Sequence, residues 1–96
     1  MSDPDPTQDG RPKLRASVKM RYDPVRKRFV LLLPEKAVLL SETAAEILQL
    51  CDGGSTVAEL IADLERKYPT AELRADVVEF LSQAVSKRWV EWVLPA

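Results

Sequence analysis

The sequence predicts an α+β domain in which a three-stranded antiparallel meander precedes a bundle of three helices. Three observations carry that prediction. Val18, Met20 and Tyr22 alternate with Lys19 and Arg21, the period-two pattern of a half-buried strand. Two further strand candidates, 28–33 and 36–40, are joined by only Pro34 and Glu35, and so short a link forces antiparallel neighbours. Beyond Ser41 the apolar residues recur at helical spacing until the last few residues of the chain.

Taken in order, residues 1–15 are rich in proline and charge and poor in large apolar side chains. They are expected to form a disordered tail, because such a segment buries too little surface to offset the entropy of ordering. The folded domain then runs over 16–94. Its first strand spans about 17–22 and ends at Asp23-Pro24, which is turn chemistry. The second spans about 28–33, where Phe29–Leu33 is an unbroken apolar run of the kind found in central strands. The third spans about 36–40 and has no later strand in the meander to pair with. It is therefore an open edge, and an open edge beside helices is a place to capture an extended peptide.

Ser41 is a fitting cap for a first helix over about 42–51, whose face is Ala44, Ile47, Leu48 and Cys51. Asp52-Gly53-Gly54 stops it. Thr56 and Glu59 form a capping box that opens a second helix over about 57–67, with Val57, Leu60, Ile61 and Leu64 on one side. Tyr68-Pro69 closes it, since proline pushes the preceding residue out of helical geometry. Thr70 is expected to cap a third helix over about 71–87. That helix carries two apolar stripes, one through Leu73, Val77, Phe80 and Ala84, the other through Val78, Leu81 and Val85. One stripe is expected to pack inward and the other to border a groove. The segment Trp89–Val93 is extended by propensity and is expected to add a short strand or wing, with at least one of Trp89 and Trp92 plugging the core.

Composition excludes several classes of function. No apolar run approaches the length of a membrane span, and the first residues have no apolar signal-peptide core. There is one cysteine and no histidine among the 96 residues, so neither an internal disulfide nor a histidine-based acid–base or metal site is available. These features place the chain in the cytoplasm. Cys51 sits on an apolar helix face near a helix C-terminus, where a thiolate is disfavoured, and reads as structural. The carboxylates Glu59, Asp63, Glu72, Asp76 and Glu79 read as solvated helix faces. No cofactor site and no catalytic group emerges, and the chain is not expected to be an enzyme.

Charge is distributed unevenly. Residues 11–28 hold eight basic side chains against Asp23 alone, a net of +7, while 29–96 carry a net of −5. A winged-helix-like arrangement raises nucleic-acid binding as the alternative reading. The third helix would then meet phosphates, yet its first turns offer Glu72, Asp76 and Glu79 against Arg74, which is the wrong sign. The basic hairpin tip, Arg26, Lys27 and Arg28, instead reads as a surface for an acidic partner or as charge that keeps an edge soluble.

The stretch MRYDPVRKRFVLLLPEKAVLLSETAAEILQLCDGGSTVAEL, continuing through ADLERKYP to ADVVEFLSQAVSKRWV, closely resembles the PqqD family over about residues 12–93. The resemblance lies in the order and spacing of the PE turn, the apolar strand before the first helix, the DG stop and the DVxxFL segment. It implies a recognition element for ribosomally made, post-translationally modified peptides (RiPPs), acting as a peptide chaperone in the biosynthesis of pyrroloquinoline quinone (PQQ). The implied partners are the PQQ precursor peptide and a radical S-adenosylmethionine enzyme that crosslinks it; the clusters and S-adenosylmethionine would belong to that enzyme. A homodimer through the open edge is a further expectation. The family mode carried onto this chain pairs the peptide with Ala37, Val38, Leu39, Leu40 and Ser41. Its helical wall would be Asp76, Val77, Phe80, Leu81 and Ala84, with Val78 and Val85 as the alternative stripe.

Overall fold

The computed structural model describes residues 10–93. The elements run in the order β1 (Arg11–Leu14), β2 (Lys19–Asp23), β3 (Arg28–Leu32), β4 (Ala37–Leu39), α1 (Glu42–Gln49), α2 (Val57–Lys67), α3 (Arg74–Ser86) and β5 (Val90–Val93). β2, β3 and β4 form an antiparallel sheet in that order, as the short links require. Asp23 closes the first hairpin by accepting from the amides of Val25 and Arg26 at 3.0 and 3.3 Å. At the second hairpin, the Leu33 amide donates to the Lys36 carbonyl at 2.8 Å across Pro34-Glu35.

The helix starts follow from local chemistry. The Ser41 hydroxyl accepts from the Ala44 amide at 3.1 Å and caps α1. In α2, the Glu59 amide donates to Thr56 Oγ1 and the Thr56 amide to Glu59 Oε1, a reciprocal box that satisfies two otherwise orphaned donors. The Thr56 amide, and after it the Thr56 side chain, hold the Glu59 carboxyl below its ordinary value. Gly53 takes φ +80° in the turn between these helices, a region that side chains disfavour. α1 ends at Gln49, two residues before the expected stop, and Leu50 and Cys51 continue with tighter turns onto Ile47 and Leu48.

Two sequence expectations need correction. The tail expected over 1–15 is not a tail at Arg11–Leu14. These residues form β1, which pairs antiparallel with β5, while residues 1–9 lie outside the described residues. The pairing works because Pro12 needs no donor toward β5. Its carbonyl accepts from Gly53 at 3.0 Å and the Leu14 amide donates to Cys51 at 3.1 Å, so alternate residues face the turn after α1. Arg11 and Lys13 are left to bond with β5. Gly10 lies against Trp92 so closely that an added Cβ would come within 3.0 Å of Cε3. The C-terminal segment, expected as a short strand or wing, is present as β5 and joins β1 in a separate two-stranded sheet. The second correction is that α3 begins at Arg74 and not at 71, because the Ala71 amide closes a turn onto Tyr68 at 3.1 Å. Leu73, lacking a side-chain acceptor, then stands at the cap.

The core lies between the inner face of the meander and the three helices. Leu31, Ile47, Leu48, Leu60, Val77, Leu81 and Val90 are all buried. Trp89 joins them, as expected of one of the tryptophans. α3 ends in a left-handed residue, Arg88 (φ 63°), flanked by bonds from Trp89 to Ala84 and from Lys87 to Gln83. Glycine is the usual occupant of such a position, and another residue is strained there by about 1 kcal/mol. Arg88→Gly is therefore expected to raise the unfolding free energy by about 1 kcal/mol, read as a higher midpoint in urea denaturation with an unchanged slope.

Candidate functional site

β4 has β3 as its only strand neighbour. The orientation of its backbone follows from the ladder. The Leu40 amide donates to the Phe29 carbonyl at 2.9 Å, and the Leu33 amide to Lys36 at 2.8 Å. In an antiparallel pair, bonded and non-bonded pairs alternate, so Val38, opposite Leu31, is bonded inward. The amides and carbonyls of Ala37 and Leu39 then point away from β3 to the open edge. Arg28 Nε donates to the Leu40 carbonyl at 3.2 Å and closes the ladder where the chain turns into α1.

Side chains alternate across the same strand. Val38 and Leu40 face the helices, and Leu40 is buried, whereas Ala37 and Leu39 face outward. Leu39 is 43% exposed and shares the outer face with Val30 and Arg21. Two cavities lie at the two ends of β4, and the surface between them past the strand edge is the candidate groove. One, about 670 Å³, lies just beyond β4, among the start of α1, the end of α2 with the link that follows it, and the start of α3; its wall includes Ser41, Ala44, Ile47, Tyr68, Asp76, Val77 and Phe80. The other, about 350 Å³, lies at the start of β4 and the end of α3, lined by Leu33, Glu35, Lys36, Val38, Lys87 and Trp89.

Of the residues predicted to form the site, Ser41, Asp76, Val77 and Phe80 line the same cavity, and Val38 lines the smaller one. Ala37 and Leu39 supply the free backbone edge. Val77, Leu81 and Ala84 are each only 1% exposed and sit in the core; of the three, Val77 alone borders a cavity, and Leu81 and Ala84 do not. The alternative stripe divides as well. Val78 lines an open acidic depression of about 1010 Å³ with Glu65, Glu72 and Glu79, on the α2 side of α3, and Val85 packs partly against the core. That depression is larger but has no strand edge beside it.

Sequence reasoning missed Lys36, Lys87 and the α1 residues Ala44 and Ile47. Helical spacing held the signal for one of them, since Lys87 lies seven residues beyond Phe80 on one stripe. The floor of the larger cavity is tied together by Glu46, which accepts from the Tyr68 hydroxyl at 2.6 Å and from Lys67 Nζ at 3.3 Å. The Tyr68 bond, followed by Lys67, holds the Glu46 carboxyl below its ordinary value, and the same bond raises the tyrosine.

Cys51 is buried, donates its thiol to the Ile47 carbonyl at 3.3 Å and stands apart from the groove. Burial, with the Asp52 carboxylate adding to it, pushes that thiol up to about 12. Among the described residues no cluster of His, Cys, Asp and Glu could hold a metal, and no helix is long and apolar enough to cross a membrane.

A three-stranded sheet open at both outer strands, with cavities walled by the helices at either end of one of them, β4, defines a small α+β module able to take an added strand. The family model described as "Coenzyme PQQ synthesis protein D (PqqD)" matches residues 28–90. The chain belongs to the PqqD family. A relative from Methylococcus capsulatus named "PqqA binding protein" is 36% identical over 82 residues, covering 85% of this chain and 88% of the relative. One of the same name from Rhodopseudomonas palustris is 41% identical over 83 residues, covering 84% and 81%. Among solved structures, the fold is similar to the solution structure of the PqqD truncation of Methylobacterium extorquens PqqCD. The TM-score is 0.71 at 34% identity, with 90% of this chain and 97% of the other covered. That protein is described as a functional and stand-alone RiPP recognition element.

Two outcomes follow from the geometry. Val38→Pro removes a donor the sheet uses and leaves the Leu31 carbonyl unmet, so it is expected to cost about 2 kcal/mol more stability in urea than Leu39→Pro, whose lost donor faces outward. Cys51 is expected to resist a thiol reagent at pH 8 in the folded protein and to react within the mixing time in denaturant, followed by absorbance.

Proposed function

We propose that this chain is a non-catalytic peptide chaperone of PQQ biosynthesis. It takes the PQQ precursor peptide as an added strand on β4 and holds it against the Asp76–Phe80 side of α3. The observation that carries this reading is the pair of outward-facing residues Ala37 and Leu39, which offer main-chain donors and acceptors beside an apolar groove. Backbone pairing supplies affinity that tolerates sequence, and the cavities at the two ends select side chains. The names of the relatives, "PqqA binding protein", and the description of the structural neighbour as a RiPP recognition element support the same client and role.

The chain then presents the peptide to a radical S-adenosylmethionine enzyme, a partner carried over from the family resemblance, in the cytoplasm. β4 of a second copy is a competing occupant of the same edge, so dimerisation through it would be relieved by peptide. The helical half with its short flanking strands has the outline of a winged helix, but the cavity wall that α3 would turn to phosphates carries Asp76, and the depression on its other side carries Glu72 and Glu79. That surface favours peptide over nucleic acid.

The test is an NMR titration of isotopically labelled protein with the precursor peptide. The largest amide shifts are expected at Ala37, Leu39 and the Asp76–Phe80 turn, and Leu39→Pro is expected to lower affinity at least tenfold with its helical signal intact. Shifts confined to other surfaces, or wild-type affinity in Leu39→Pro, would refute strand addition.

A further inference from the structure

The two ends of the groove carry opposite charge. At the start of β4 the cavity is lined by Lys36 and Lys87 with Glu35 as the only acid. At the other end the cavity is lined by Glu42, Glu46 and Asp76 with Lys67 as the only base. Lys67 is already engaged by Glu46. The ion pairs among the described residues are Lys67–Glu46 and Arg66–Asp63, which leaves Lys36, Lys87, Glu42 and Asp76 without partners. Lys87 Nζ instead stands 5.0 Å over the Trp89 ring, a contact that leaves the cation accessible to an incoming carboxylate.

We infer that the groove reads its peptide by charge, taking acidic side chains at the Lys36–Lys87 end and basic ones at the Glu42–Asp76 end. Charge thus helps to set the direction in which the peptide lies. The inference rests on the peptide-binding reading above and deepens it. Length decides whether the two ends act separately. Lys36 and Ser41 are five residues apart along an extended chain, which is about 17 Å at strand rise. Screening at physiological salt falls off over about 8 Å, so each end meets its own part of the peptide. The unpaired backbone of Ala37 and Leu39 lies between them and holds the peptide in register while the ends discriminate. Reversal of the peptide would put like charges together at both ends at once.

The probe is the shortest fragment of the precursor peptide that binds, found by truncation, with three aspartates appended at either end. Affinity is measured by fluorescence anisotropy at low and high salt. One tag is expected to tighten binding by about three- to tenfold and the other to loosen it by a similar factor, given a few tenths to one kcal/mol per exposed pair. The double variant Lys36→Glu and Lys87→Glu, both exposed positions, is expected to turn the gain into a loss. The pair Glu42→Gln and Asp76→Asn is expected to remove most of the penalty, and high salt should flatten both effects. Tags that act alike, or a pattern that survives Lys36→Glu with Lys87→Glu, would overturn the polarity while leaving peptide binding intact. An untagged fragment that does not bind would overturn both readings.

Discussion

Main-chain amides and carbonyls need partners, and the meander withholds them along its two outer strands, β2 and β4, of which only β4 lies beside α3. The two-residue link Pro34-Glu35 commits β4 to lie antiparallel beside β3. Only Leu40 then separates β4 from the Ser41 cap, so the chain leaves the sheet for α1 before it can supply another strand. Several other backbone groups do find partners. Gly53 and Cys51 bond to β1, Arg15 bonds to Trp89, and the Arg28 side chain occupies the Leu40 carbonyl. The outward-facing groups of Ala37 and Leu39 have no strand partner, like the outer side of β2, and β4 is the edge whose Val38 shares a cavity with Lys87 and Trp89. The edge is short, with three residues in strand geometry, which limits the aggregation risk that an open edge brings.

The packing of α3 decides what that edge faces. Val77, Leu81 and Ala84 turn into the core and fix the rotation of the helix. That rotation places Asp76 and Phe80 on the groove side and Val78 on the side of α2. The groove is therefore a product of core packing and not of a dedicated loop. Substitutions that reshape the core under α3 would tilt the wall without touching the surface.

Local signals were legible in the sequence, and long-range ones were not. The Ser41 cap, the Thr56–Glu59 box, the Asp23 turn and the meander order each depend on residues a few positions apart, and each appears in the structure. The pairing of β1 with β5 joins residues at opposite ends of the chain, and proline and charge in Arg11–Leu14 mask it. The turn at Gly53, whose amide donates to the Pro12 carbonyl, helps to make a strand there tenable. The start of α3 was missed because Thr70 resembles a cap, while the turn after Pro69 uses the next residue for itself. Two apolar stripes on α3 made its inward face ambiguous, and only packing against α2 and the sheet resolves it.

The alternation of side chains along β4 has a consequence for any client zipped to it. Leu40 and Val38 point in, while Leu39 and Ala37 point out beside Val30 and Arg21. A strand laid alongside inherits the same alternation, so half its residues are hidden against α3 and half are displayed on the outer sheet face. Recognition in this geometry has a parity. Sliding the client by one residue exchanges its concealed letters for its visible ones, whereas sliding it by two preserves the sense of the message.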